Sequence, residues 1–190
     1  DRRTASDVAG KSALIMGFGR IGQRVGALCR ALGLRVAAFD PYMERSPVEG
    51  VEMVKDFRAI LPETDFLCLH LPSTPETRDL IGAGELALLK RGAFVLNCAR
   101  GGIVDEDVLC DALESGHLGG AGLDVFAKEP PDTAHRLFRQ EKVLLSPHNA
   151  ALTEECAIRM ATQAVQNVLD CLDGKLQPRV VMNRREIGMA

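Results

Sequence analysis

Arg100, Glu129 and His148 are the residues of this sequence whose types and placement could do chemistry together. A hydride transfer needs a group that exchanges a hydroxyl proton, a cation that orients an anionic substrate, and a group that tunes the proton carrier. His148 stands in Ser146-Pro147-His148-Asn149-Ala150-Ala151. Histidine titrates near neutral pH, which suits it to accept a proton in one direction and return it in the other. Arg100 stands in Asn97-Cys98-Ala99-Arg100-Gly101-Gly102. Its planar fork fits a carboxylate and the adjacent carbonyl, and two following glycines leave backbone room beside a ligand. Glu129, ahead of the stiff Pro130-Pro131 pair, would fix the imidazole ring. Taken singly, a surface arginine before a turn or a solvated loop glutamate explains each position as well. Three such residues after successive apolar runs favour catalysis.

The same sequence carries a place for a dinucleotide. Gly17-Phe18-Gly19-Arg20-Ile21-Gly22 follows an apolar run and opens an amphipathic segment. In that setting Gly17 permits a tight turn, Gly19 lets the backbone approach a pyrophosphate, and Gly22 lets helix and strand pack closely. The helix N-terminus adds free N–H groups and a partial positive charge. Arg20, inside the turn, could reach the phosphates or simply be solvated. The next apolar run ends at Phe39-Asp40-Pro41. A carboxylate at Asp40 would accept hydrogen bonds from the adenosine ribose and repel a 2′-phosphate, which selects NAD over NADP.

Short apolar runs recur roughly 20–30 residues apart: Ala13–Met16, Val36–Phe39, Phe66–Leu69, Phe94–Leu96, Ala121–Leu123 and Val143–Leu145. None alternates polar with apolar, so they predict strands of a parallel sheet covered on both faces. Between them, Ile21, Val25, Leu28, Cys29 and Leu32 share one helical face, with Gly33 as a stop. Asp105-Glu106-Asp107 starts a helix that Gly116 closes, and Thr153 caps a longer one ending before Gly174. The apolar stripe of that last helix predicts packing on a core. The fold class is α/β, a doubly wound parallel sheet in three layers (αβα), with right-handed crossovers. His70 would end a strand with its backbone beside the cofactor and its ring in the core, while His117 and His135 suit the surface.

Composition narrows the field. The 190 residues hold 23 Lys plus Arg against 26 Asp plus Glu, a net charge of −3 that argues against sequence-independent nucleic-acid binding. With 46 % apolar residues the chain can build a core, yet no apolar run approaches the ~20 residues of a membrane span. The polar start Asp1-Arg2-Arg3 is unlike a signal peptide. Six cysteines without a C-x-x-C pair point to a reducing, cytoplasmic setting. No residue cluster has metal-ligand spacing.

The glycine turn, Asn97-Cys98-Ala99-Arg100-Gly101-Gly102-Ile103-Val104-Asp105, Gly122-Leu123-Asp124-Val125-Phe126 with Glu129-Pro130, and Pro147-His148 together resemble the D-isomer-specific 2-hydroxyacid dehydrogenases, from about Val8 to Gly174. The resemblance implies Arg100, Glu129 and His148 as the catalytic trio, with His148 the acid/base and Arg100 holding the carboxylate of a small 2-hydroxy or 2-oxo acid. It implies cofactor contacts at Gly17, Gly19, Arg20, Ile21, Gly22, Asp40, Leu71, Pro72, Cys98, Ala99, Arg100, Asp124 and His148. Asp124 would sit near the nicotinamide carboxamide, and the family suggests a homodimer. The segment His148-Asn149-Ala150-Ala151 departs from the commoner family pattern, in which a glycine often follows, and the departure bears on substrate preference.

Family members carry a second, substrate-binding domain built from chain on both sides of the cofactor domain. The expectation here is an NAD-binding domain over residues 1–176 and a tail over 177–190, containing Arg179, Arg184 and Arg185, that leads toward a substrate domain largely absent from this chain. Such a piece would bind NAD and turn over poorly by itself. An NAD(H)-sensing regulatory module of the corepressor type accepts the same glycines and the same trio. A methyltransferase would use the glycine turn and Asp40 but leaves the trio unexplained.

Overall fold

Every one of the six apolar runs becomes a strand. In the computed structural model, which describes residues 5–184 and 186–188, the strands are β1 (Ser12–Met16), β2 (Arg35–Phe39), β3 (Val51–Met53), β4 (Phe66–Leu69), β5 (Phe94–Asn97), β6 (Gly120–Leu123) and β7 (Val143–Leu145). Asp1-Arg2-Arg3 and Arg185 lie outside the described residues. β3 has no counterpart in the sequence pattern, because three residues with Glu52 at their centre form no apolar run. The strands make one sheet in the order β3-β2-β1-β4-β5-β6-β7, and every neighbouring pair is parallel. Chain order reverses between β1 and β4. In an open α/β sheet that is the switch point where a ligand crevice forms, outside the strands' carboxyl ends.

Successive residues of β1 point to opposite faces, so Leu14 and Met16 enter one core while Ala13 and Ile15 enter another. The first core takes Leu86 of α2 (Ala83–Leu88) and Leu109, Cys110 and Leu113 of α3 (Glu106–Glu114). The second takes Val25 and Cys29 of α1 (Arg20–Ala31). Helices therefore cover both faces, giving three layers. α3 begins as expected: the Asp105 carboxylate accepts the N–H groups of Asp107 and Val108.

α1 corrects the sequence reading. Ile21, Leu28 and Leu32 are each more than 60 % exposed, and the buried residues of the helix are Gly22 and Gly26. The face against the sheet is Gly22, Val25, Gly26 and Cys29, a stripe rotated away from the bulkiest apolar residues. Two glycines bring the helix axis close to β1, and that close approach, rather than side-chain hydrophobicity, decides which face goes in.

His117 is half-buried rather than superficial, and its Nε2 has no hydrogen-bond partner. All six cysteines are free. Burial pushes the Cys68 thiol up to about 12, so it behaves as a small core hydrophobe. No helix among the described residues is long and apolar enough to cross a membrane.

The chain divides into two compact units, Asp1–His148 and Asn149–Ala190, ahead of the 176/177 boundary drawn from the sequence. The second unit holds α4 (Glu154–Leu172), capped as expected by the Thr153 hydroxyl, which accepts the Cys156 N–H at 3.1 Å. No residue of α4 is buried, and Ile158, Val165, Val168, Leu169 and Leu172 are exposed.

Candidate active site

The site assembles first from the turn between β1 and α1. Gly17 adopts φ +85°, donates its N–H to the Phe39 carbonyl at 2.8 Å, and lies so near β4 that a Cβ would come 2.6 Å from the His70 carbonyl oxygen. Gly22 is pressed against the same turn, where a Cβ would stand 2.1 Å from the Gly17 oxygen. Gly19 faces open space and, as the residue preceding α1, offers no side chain to its first-turn N–H groups. These donors and the helix dipole suit a pyrophosphate. Arg20 and Ile21, the first residues of α1, are both exposed beside them.

Asp40 follows β2 and is fixed from both sides. One carboxylate oxygen accepts the Phe18 N–H at 2.9 Å and the other accepts the Tyr42 N–H at 3.0 Å. The first bond ties the acid to the glycine turn itself. Each oxygen keeps a further lone pair, enough to receive two ribose hydroxyls.

Across the switch point a cleft of about 350 Å³ is lined by Ile21, His70, Leu71, Pro72, Ser73, Cys98, Ala99 and Arg100. Six of these were expected to touch the cofactor, and the structure brings them to one cleft. Ser73 was not, and His70 was expected there only through its backbone. His70 lines the cleft instead of sitting wholly in the core, and burial lowers its pKa, which keeps the ring neutral at pH 7. Only the pairing of β1 with β4 carries it there. Burial raises the Cys98 thiol, with the charge of Asp124 adding to the effect, so the group is a thiol rather than a nucleophilic thiolate.

The expected acid/base pair lies at the ends of β6 and β7. His148 Nδ1 and Glu129 Oε2 are 2.8 Å apart, and Glu129 Oε1 accepts the Phe126 N–H at 3.0 Å. The hydrogen bond from His148 and then that from Phe126 hold the Glu129 carboxyl below the usual range. With the carboxylate on Nδ1, Nε2 is the ring nitrogen left to exchange a proton. His148 adopts φ +52°, a conformation that costs a non-glycine residue on the order of 1–2 kcal/mol. Strain of this kind is held by surrounding structure, here the Glu129 bond and the His148 N–H donated to the Ser146 carbonyl. The pair borders an apolar hollow of about 360 Å³ lined by Phe126, Pro130, Pro131, Phe138, Leu145, Ser146 and Pro147.

Asp124, 3 % exposed at the end of β6, accepts the Ser146 hydroxyl at 2.6 Å. Ser146 was missed in the sequence, where nothing marks a serine before proline as a partner for a distant acid. Arg100 is exposed and turns its guanidinium back to the Ala99 carbonyl at 2.6 Å. Among the described residues no group of His, Cys, Asp and Glu could hold a metal ion.

A glycine turn against the switch point, an acid on the neighbouring strand and a cleft beside them define the class: a dinucleotide-binding α/β domain. The model of the D-isomer specific 2-hydroxyacid dehydrogenase NAD-binding domain matches residues 1–150, and the chain belongs to that family. It is 42 % identical to D-3-phosphoglycerate dehydrogenase of Mycobacterium leprae over 180 residues, covering 94 % of this chain and 34 % of that protein. It is 39 % identical to the Methanocaldococcus jannaschii D-3-phosphoglycerate dehydrogenase over 177 residues, covering 92 % and 34 %. The crystal structure of D-lactate dehydrogenase with NAD+ from Lactobacillus jensenii superposes with a TM-score of 0.84 at 28 % identity, covering 90 % of this chain and 56 % of that one. The chain thus spans about a third of the length of these curated relatives and just over half of the solved chain.

Proposed function

We propose that this chain is the cofactor-binding part of an NAD-dependent dehydrogenase that interconverts a D-2-hydroxy acid and its 2-oxo acid. The observation that carries the reading is the 2.8 Å pairing of His148 with Glu129 in a domain of this family. NAD, when bound, supplies the hydride acceptor. In oxidation His148 Nε2 takes the hydroxyl proton, and Glu129 stabilises the imidazolium through Nδ1. Arg100 would grip the substrate carboxylate, and Asp124 would hold the nicotinamide carboxamide. In reduction the same nitrogen returns the proton. Gly17, Gly19, Gly22, Arg20 and Ile21 would hold the pyrophosphate. Asp40 holds the adenosine ribose and disfavours a 2′-phosphate, which accords with NAD as the family's cofactor.

D-3-Phosphoglycerate and D-lactate are the first substrates to try, because the relatives above act on them by name. The relatives named above are dehydrogenases, and nothing in them favours a corepressor. Six free thiols support a cytoplasmic setting. The exposed apolar faces of α1 and α4 support a homodimer, since a second copy would cover such patches.

The test is NADH formation by the full-length protein across a panel of D-2-hydroxy acids, with NAD affinity measured separately by titration of the 190-residue chain. His148→Ala should lower kcat by about 10²–10⁴-fold, a loss much larger than its effect on NAD affinity. Undiminished turnover in that variant would remove the acid/base assignment.

A further inference from the structure

Asn97 ends β5 with its side chain buried, 2 % exposed, where an unsatisfied amide would be costly. Both ends of the amide are used within the loop that follows. Its Oδ1 accepts the Ala99 N–H at 3.1 Å, and its Nδ2 donates to the Arg100 carbonyl at 2.9 Å. These bonds close the turn from inside. The backbone of Asn97 is anchored in turn, because its carbonyl accepts the Asp124 N–H at 3.0 Å.

On the other side of Arg100, Gly101 lies flat against the loop after β6. A Cβ there would fall 1.7 Å from the Phe126 carbonyl oxygen. The Arg100 backbone is therefore held between an asparagine amide and a neighbouring loop's backbone. Its guanidinium makes no ion pair among the described residues and rests on the Ala99 carbonyl, so the direction in which it leaves the loop depends on how the turn is held.

We infer that Asn97 is the positioning residue for Arg100: its amide fixes the turn from which the guanidinium reaches a substrate carboxylate. The inference rests on the reading of Arg100 as the carboxylate-orienting cation. Asparagine suits the task because one short planar group both accepts and donates. Serine is too short to reach both groups. Aspartate keeps the acceptor for Ala99 but sets an oxygen against the Arg100 carbonyl.

The test is a double-substitution cycle in the full-length protein with Asn97→Ser, Arg100→Ala and the two combined. Readouts are kcat and KM for the hydroxy acid that the parent protein oxidises, the affinity for NADH, and the affinity of the NADH-bound protein for oxalate. Oxalate is a planar probe that presents a carboxylate and an adjacent carboxyl oxygen. Asn97→Ser, assayed at saturating NADH, should weaken oxalate, raise KM and lower kcat/KM by about 10²-fold, the cost of an ångström-scale misplacement. In the Arg100→Ala background the same change should add nothing.

An undiminished effect of Asn97→Ser in that background, or unchanged oxalate affinity in the single variant, overturns the inference. If Arg100→Ala itself leaves oxalate affinity and kcat/KM unchanged, the Arg100 reading falls, and this one with it. Should Asn97→Ser fail to bind NADH, Asn97→Asp carries the same cycle.

Discussion

At His148 the proposed chemistry depends on one contact, the 2.8 Å approach of Glu129 Oε2 to Nδ1. The contact fixes which nitrogen works and stabilises the charged ring, so Glu129→Gln should be milder than His148→Ala. A glutamine can still orient the ring but cannot balance its charge, and kcat should fall by about 10–10²-fold with NAD affinity unchanged, read by steady-state kinetics beside an NAD titration. The same carboxyl predicts a pH effect. Its folded pKa lies below the ordinary Glu value, with the His148 hydrogen bond the largest cause. Its contribution to stability is therefore fully present above about pH 4.3 and is lost as pH falls through the lowered folded value. Thermal melts between neutral pH and pH 3 should show an acid-side loss of stability that Glu129→Gln reduces. Equal acid sensitivity in the two proteins would argue against it.

At the scale of the element, the β1–α1 turn does its work by closeness. A methyl group at Gly22 would meet the Gly17 carbonyl oxygen at 2.1 Å, a backbone atom that cannot swing aside. Gly22→Ala should cost about 1–3 kcal/mol and abolish NAD binding, because α1 must shift from the phosphate position. Gly84, inside α2, supplies the control: nothing lies within 4 Å of its would-be Cβ, so Gly84→Ala should add about 0.5–1 kcal/mol of stability and leave NAD binding unchanged. Calorimetry with an NAD titration on both variants checks the contrast. These elements also show where pattern reading succeeds. β4 and α3 were legible because a continuous apolar run and an acidic N-cap are local signals. β3, with Glu52 at its centre, and α2, six residues long, carry too little pattern to be seen.

Across the molecule, the strand order places functional loops far apart in sequence at one edge of the sheet. β1 and β4 flank the reversal, so the glycine turn, His70 and the Arg100 loop face a common cleft. β6 and β7 bring Glu129 to His148. The exposed apolar faces carry the prediction at this scale. Sedimentation of the protein should give a dimer, and replacing Val165, Val168 and Leu169 on α4 with aspartate should shift it toward monomer if that face is the one covered. A monomer in the unsubstituted protein at micromolar concentration would sink the dimer.

The sequence by itself determined six of the seven strands and marked the glycine turn, Asp40, Arg100, Glu129 and His148 as candidates, because each stands in a short stretch of chain. The inward face of α1, the place of His70 in the cleft, and the partners Asn97 and Ser146 were decided only by the tertiary structure. Those depend on which strands lie side by side and how closely backbones approach. Neither is carried by the periodicity of a single segment.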